Sequence, residues 1–190
     1  MKKIVPALAI VTVFFIAQSI FARMGHDEHH GHGMMQEGDA QQQDRGLIDT
    51  GNKICPVSGE LIDDSMMKAT YEYDGKIYNF CCAGCIDEFN KDPQKYISKI
   101  KEFKLEAYQF GYSPERIEVK KGDIVKIYAT SRDVPHGIYI KEYDINATMK
   151  KGGVKKLEFL ADKKGEFPIL CSVYCGRGHQ DMKAILVVEE

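Results

Sequence analysis

The sequence predicts a mainly β chain, a β-sandwich over residues 103–190 preceded by a small α+β unit over residues 52–100. Short alternating stretches recur at near-regular spacing from residue 103 to 188, separated by glycine-bearing turns, the pattern of a β-sandwich. In the smaller unit, residues 69–73 and 76–80 flank Asp74-Gly75, a two-residue hairpin turn, and an amphipathic helical pattern follows. The third observation is chemical. Cysteine, histidine and methionine gather at two places, where metal ligation accounts for them better than packing does.

At 190 residues, 44% hydrophobic and 28% charged, the composition is that of an ordinary globular protein with room for one mid-sized domain or two small ones. A formal net charge of −2 gives no electrostatic support to a nucleic-acid partner. Lys2 and Lys3 precede an apolar run over residues 4–20, and Ser19 and Ala22 are small. Residues 1–22 therefore read as an export signal. The alternative is an uncleaved membrane anchor, since residues 4–22 are about the length that spans a bilayer. Either reading puts the remainder in a periplasmic or extracytoplasmic compartment. Loss of residues 1–22 removes two lysines and no acid, leaving a net charge of −4.

Residues 23–51 show no sustained hydrophobic period and read as a disordered linker. His26, His29, His30 and His32, with Met24, Met34 and Met35, make a donor-rich tail. Such a tail captures copper or zinc weakly, or it serves only to keep the chain in solution.

In residues 52–100, Cys55 sits in a Pro-Val-Ser-Gly turn, the hairpin follows, and Cys81-Cys82-Ala83-Gly84-Cys85 comes directly after it. Short helices broken at Asp92-Pro93 are expected next. The motif Cys55-Pro56-Val57-x-Gly59, with Tyr73-Asp74-Gly75-Lys76-x-Tyr78-x-Phe80-Cys81-Cys82-x-x-Cys85, Phe89 and Asp92-Pro93-x-x-Tyr96, resembles the YHS domain. That domain belongs to a treble-clef-like group associated with heavy-metal trafficking and sensing. The resemblance implies a metal site at Cys55, Cys81 and Cys85, with Cys82 as candidate fourth ligand. Zinc and Cu(I) both suit thiolates. A purely structural zinc or a disulfide is the alternative.

In residues 103–190, strands are expected at 103–110, 112–119, 124–128, 137–140, 154–160, 165–170 and 183–188. Between the last two lies Cys171-Ser172-Val173-Tyr174-Cys175-Gly176-Arg177-Gly178-His179-Gln180-Asp181-Met182. Two thiols, an imidazole and a thioether within one loop are donors that suit copper. A mononuclear blue-copper loop needs one cysteine, whereas two thiolates this close can bridge two ions; a reducible disulfide is the plainer alternative. Of six histidines, four lie in the tail, which leaves His136 as the partner for His179.

Cys-x3-Cys-x3-His-x2-Met after a distant Val-Pro-His-Gly resembles the binuclear copper A site of haem-copper oxidase subunit II and of nitrous oxide reductase. The stretch Pro114-x-x-Ile117-x-Val119-x-x-Gly122-Asp123 is similar to cupredoxins, which are Greek-key sandwiches. The resemblance implies that Cys171 and Cys175 bridge two copper ions, that His136 and His179 bind one each, and that Met182 and the Val173 carbonyl are axial donors. Asp133 is a candidate acceptor behind a ligand histidine, with a turn-forming acid as the plainer reading. Tyr108, Tyr112, Tyr139 and Tyr174 are expected to pack the sandwich.

Electron transfer is the function implied, with a c-type cytochrome or an oxidase subunit as redox partner. Catalysis by this chain alone is not expected, because the ligands fill the site; oxidase or reductase catalysis would reside elsewhere. The tail and the YHS-like unit favour an alternative: a periplasmic copper chaperone, sequestration or resistance protein with a copper-trafficking partner. The chain also departs from subunit II, since a YHS-like unit precedes the sandwich and there is no Trp for an aromatic electron-entry stretch.

Overall fold

The computed structural model describes residues 47–63 and 68–190. The expected leader, most of the linker and the histidine tail lie outside the described residues.

The smaller part begins with β1 (Ile48–Asp49), β2 (Ala69–Tyr73) and β3 (Lys76–Phe80), in the order β1-β3-β2. The hairpin is where the sequence puts it. Asp74 and Gly75 both take positive φ, 50° and 70°, as a turn matched to the strand twist requires. β1 falls inside the stretch expected as linker. It pairs in parallel with β3, Ile48 opposite Lys76. Asn52 anchors the segment that follows. Its buried side chain donates to the carbonyls of Ile54 and Asn79 and accepts from Asn79 N–H, each at 2.8 Å.

Helices α1 (Ala83–Lys91) and α2 (Pro93–Ile97) break at Asp92, as Pro93 predicts. The Asp92 carboxylate accepts from Lys95 N–H and caps α2. The apolar faces meet over Phe89, whose ring is fully buried and touches those of Tyr71, Tyr73, Tyr78, Phe80 and Tyr96.

The larger part is a two-sheet sandwich. One sheet runs β10 (Val154–Leu160), β7 (Ile124–Ser131), β4 (Ile100–Tyr108), β5 (Gly111–Ser113). The other runs β6 (Arg116–Lys120), β12 (Lys183–Glu189), β11 (Gly165–Leu170), β8 (His136–Ile140), β9 (Ile145–Met149). The chain passes back and forth between sheets, so β4 and β7, and likewise β6 and β12, are parallel neighbours. Alternate residues of both sheets, among them Leu105, Ile117, Ile127, Ile138, Ile169 and Leu186, fill one core.

Four differences from the expected strands have physical reasons. The stretch expected as one strand over 112–119 divides at Pro114, which has no N–H for a ladder, into β5 in one sheet and β6 in the other. β4 ends at Tyr108, because Gln109 and Phe110 turn the chain into β5. β9 was not expected. The turn before it places Asp144 at φ +50°, a conformation that a short polar side chain tolerates, so no glycine marks it. β7 runs on to Ser131, because β4 and β10 pair with it along its length.

The two parts are joined by polar contacts. Glu158 of β10 accepts from the backbone N–H of Lys53 and Ile54 at 3.0 and 3.2 Å, and the Lys126 ammonium of β7 donates to Thr50 O at 3.1 Å. Lys126 and Glu158 are cross-strand partners, so one pair of sandwich residues holds the segment before Cys55.

Replacing Phe89 by Ala empties the centre of the smaller core, and a loss of about 3–5 kcal/mol is expected for such a truncation. Denaturant unfolding of Phe89→Ala against the parent protein checks it. A change below about 1 kcal/mol would mean the ring is not the keystone of that core.

Candidate metal centre

Strand register brings the donors of the sandwich together. In the β11–β12 pair Leu170 faces Lys183, so Cys171 and Met182 leave the sheet side by side. In the β11–β8 pair Leu170 also faces Tyr139. Continuing that antiparallel register carries His136, three residues earlier in β8, to the start of the loop. Gly137 keeps the approach open. A Cβ there would lie 2.2 Å from Ser172 Oγ and 2.6 Å from Ser172 N, so no larger residue fits without displacing the loop. Gly137 N–H also points at Cys171 Sγ, at 3.3 Å.

The donor atoms of His136, Cys171 and Cys175 all lie within 4.8 Å of one another, and all three residues are buried. They sort into two halves. Cys171 Sγ is 3.8 Å from His136 Nδ1 and 3.1 Å from the Val173 carbonyl oxygen. Cys175 Sγ is 3.7 Å from His179 Nδ1 and 3.8 Å from Met182 Sδ. An ion bonded at about 2.3 Å to sulfur and about 2.0 Å to nitrogen, with roughly 120° between them, separates those atoms by about 3.7 Å. Both sulfur–nitrogen pairs have that spacing, so the residues present fit a metal in each half. No disulfide joins them; all six cysteines are free.

Asp133 does more than form a turn. Its Oδ1 lies 2.8 Å from His136 Nε2 and accepts from Val134 N–H, and its Oδ2 accepts from Gln109 N–H at 2.8 Å. Partial burial raises the carboxyl, but the two backbone N–H groups and His136 outweigh it and hold it down at about 2. An ionised carboxylate has no proton to give, so His136 donates through Nε2. In the neutral ring Nδ1 then carries the lone pair, facing Cys171. Burial and the neighbouring Cys171 push the Cys175 thiol up to about 11. Metal binding here must therefore displace a proton.

Gln109 and Phe110 were not singled out by sequence reasoning. The Gln109 side-chain amide donates to the Cys175 carbonyl, across 66 positions of sequence. The Phe110 ring covers Gly176 and Gly178, where an added Cβ would come to 3.0 and 2.6 Å from it. The turn thus touches Asp133 on one side and the ligand loop on the other. Two glycines in that loop were the available signal, since they allow a ring to lie against backbone.

The four tyrosines behave differently from one another. Tyr112 is fully buried and donates to Gly137 O at 2.6 Å. Tyr108 packs under the Arg132 guanidinium, and Tyr139 is partly buried in β8. Tyr174 departs from the packing expectation. It is 76% exposed, its ring 5.9 Å from that of His179, because the loop turns outward there.

The second cluster is in the smaller part. The sulfurs of Cys55, Cys81 and Cys85 lie within 4.8 Å of one another. Cys55 is fully buried, held by Cys55 N–H to Glu60 O and Gly59 N–H to Cys55 O. Burial raises its thiol, but the Ser58 hydroxyl and nearby backbone N–H groups outweigh this and bring it to about 7. Cys82, the candidate fourth ligand, is exposed, its sulfur 3.7 Å from that of Cys85. The tail histidines 26, 29, 30 and 32 fall outside the described residues. Among the described residues no helix is long and apolar enough to cross a membrane.

Comparison with known proteins adds the following. A YHS domain model matches residues 56–99, and a cupredoxin-like domain model matches residues 86–188. Cytochrome c oxidase subunit 2 of Thermus thermophilus is 39% identical over 84 residues, which is 44% of this chain and 62% of that protein. Nitrous-oxide reductase of Ralstonia nicotianae is 28% identical over 145 residues, covering 70% of this chain and 22% of that protein. A chain of a heme-copper terminal oxidase dimer aligns at 28% identity with a TM-score of 0.44, covering 47% of this chain and 65% of its own length. The chain therefore spans less than two thirds of the curated relatives it matches. Because the sandwich model matches more than half of the 190 residues, the chain belongs to the cupredoxin-like domain family.

Proposed function

We propose that the sandwich is an extracytoplasmic electron-transfer domain holding a binuclear copper centre. One observation carries this reading. Each of two neighbouring thiols has its own histidine Nδ1, Cys171 with His136 at 3.8 Å and Cys175 with His179 at 3.7 Å. A mononuclear site needs one thiol, whereas two complete sulfur–nitrogen halves suit two ions. Matches to cytochrome c oxidase subunit 2 and nitrous-oxide reductase support the copper and electron-transfer parts of the reading.

A pair of coppers sharing one electron across two thiolates supplies a one-electron couple whose bond lengths change little. The chain does the rest. Cys171 and Cys175 would hold both ions, His136 and His179 would each complete one half, and Met182 and the Val173 carbonyl would serve as weaker donors that tune the potential. Asp133 fixes the His136 tautomer. Burial of His136, Cys171, Cys175 and Met182 excludes water, and a rigid sandwich limits rearrangement. With six chain donors the site has no position left for a substrate, so the domain passes electrons and any catalysis resides in a partner. A c-type cytochrome or an oxidase subunit is the partner proposed.

A second reading, copper handling, is favoured by the thiol cluster at Cys55, Cys81 and Cys85, which among the described residues includes no imidazole or carboxylate. The two readings are compatible within one chain.

Copper-loaded protein is expected to be purple, with a seven-line electron-spin spectrum from one unpaired electron shared by two copper nuclei. Cys171→Ser or Cys175→Ser should abolish that spectrum, while Met182→Leu should keep it and shift the potential. A colourless Cu(I) protein that never gives the mixed-valence signal would sink the electron-transfer reading.

Asp133→Ala frees the His136 ring to change tautomer. Copper affinity should fall about 10–100-fold, the usual effect of losing a carboxylate behind a ligand histidine. Gln109→Ala should alter the hyperfine pattern while copper stays bound. Competition titration and electron-spin spectroscopy check both; wild-type affinity in Asp133→Ala would show that the bond is incidental.

A further inference from the structure

The four thiols of the smaller part are graded by depth. Cys55 is fully buried, Cys81 and Cys85 are half-buried, and Cys82 is exposed. Sulfur contacts run along this grade. Cys82 Sγ lies 3.7 Å from Cys85 Sγ, and Cys85 Sγ lies 3.5 Å from Cys81 Sγ. Cys55, Cys81 and Cys85 enclose one point, and Cys82 stands outside it. Three sulfurs around one ion at about 2.3 Å are about 4.0 Å apart, which the inner three can meet.

Local structure explains the division. Cys81 follows directly on β3, and Cys85 lies in the first turn of α1, and both sulfurs lie within 4.8 Å of that of Cys55 in the turn closed by Gly59 N–H to Cys55 O. Cys82 is the extended residue that precedes α1, at φ −158° and ψ 167°, and that conformation turns its side chain to solvent. A tetrahedral zinc site would need Cys82 drawn in as fourth ligand. Among the described residues the inner set is three thiols with the Ser58 hydroxyl 3.5 Å from Cys81 and no imidazole or carboxylate, and three soft thiolates suit Cu(I).

We propose that Cys82 is an exchange thiol, the residue through which Cu(I) enters and leaves a three-thiolate site at Cys55, Cys81 and Cys85. This deepens the copper-handling reading and rests on it. The incoming ion arrives bound to a donor thiolate. A bond forms from copper to the Cys82 sulfur as the bond to the donor breaks, and the Cys82 proton passes to the departing thiolate. The ion then moves to Cys85, whose thiol proton passes to Cys82 as the copper–Cys82 bond breaks, and any protons on Cys81 and Cys55 leave to water as those sulfurs bind. Copper remains Cu(I) throughout, so no oxidant or reductant is required. The exposed thiol sets the rate because the attacking sulfur must be reachable; the inner three set the affinity.

The test uses the full chain carrying Cys171→Ser and Cys175→Ser, so that the sandwich thiols are absent, with and without Cys82→Ser. Cu(I) is supplied as its glutathione complex and withdrawn with a chromophoric Cu(I) chelator. Cys82→Ser should leave equilibrium affinity within about threefold and keep three sulfurs around copper by X-ray absorption, while transfer in both directions slows about tenfold or more. Cys85→Ser should instead lose affinity by about 100-fold. Cys82→Ala, with an unfolding curve for each variant, separates exchange from misfolding. Unchanged transfer rates in Cys82→Ser would overturn the proposal. Four sulfurs around copper, with affinity falling as far as in Cys85→Ser, would overturn it by making Cys82 a ligand. Undiminished Cu(I) affinity in Cys85→Ser would overturn the copper-handling reading as well. None of these results touches the binuclear centre.

Discussion

The register of β11 governs the candidate metal site of the sandwich. Leu170 faces Lys183 on one side and Tyr139 on the other. Those two pairings place Cys171 beside Met182 and bring His136 to the loop from another strand. A slip of one residue would turn every side chain of the strand to the opposite face, burying polar residues and scattering the donors. The core therefore fixes the site: Ile169, Ile138, Ala184 and Leu186 point inward, and the positions of the donor side chains follow from where those residues must go. Contacts around the loop refine this placement. Asp133 selects the nitrogen that His136 presents, Gly137 gives the loop space, and Gln109 and Phe110 close over it.

The two clusters differ in donor chemistry. The sandwich offers sulfur, imidazole nitrogen, thioether and carbonyl in a buried, crowded arrangement, which suits a metal that stays in place and changes charge. The smaller part offers four thiols, graded from a fully buried Cys55 to an exposed Cys82, with no imidazole or carboxylate in the cluster among the described residues, which suits a soft ion in transit. One chain can hold both, because the Lys126–Glu158 pair ties the two parts together through backbone groups of Thr50, Lys53 and Ile54 without drawing on any of the metal donors.

Much of this was legible in the sequence for local reasons. The Asp74-Gly75 hairpin, the break at Asp92-Pro93 and the donor loop at 171–182 depend on short motifs. His136 could be reached by elimination, since the other histidines outside the loop cluster in the tail. The rest depends on distance in sequence. The Asp133 carboxylate was noticed, but its role became visible only when β8 brought His136 back to within 2.8 Å of it. Gln109 and Phe110 carry no motif; they matter through contacts with residues far along the chain. β9 escaped because Asp144 does what a glycine usually signals. Tyr174 reads as a core residue by type, yet the loop carries it into solvent.

Under the function proposed, Cys171 and Cys175 together hold two copper ions rather than one. Copper X-ray absorption on the full chain carrying Cys81→Ser and Cys85→Ser, so that copper at the other thiols does not contribute, addresses it directly. Two coppers per chain in the sandwich are expected, with a short copper–copper scattering path that is lost in Cys175→Ser. A single copper with one sulfur and two imidazoles, and no copper–copper path, would contradict it.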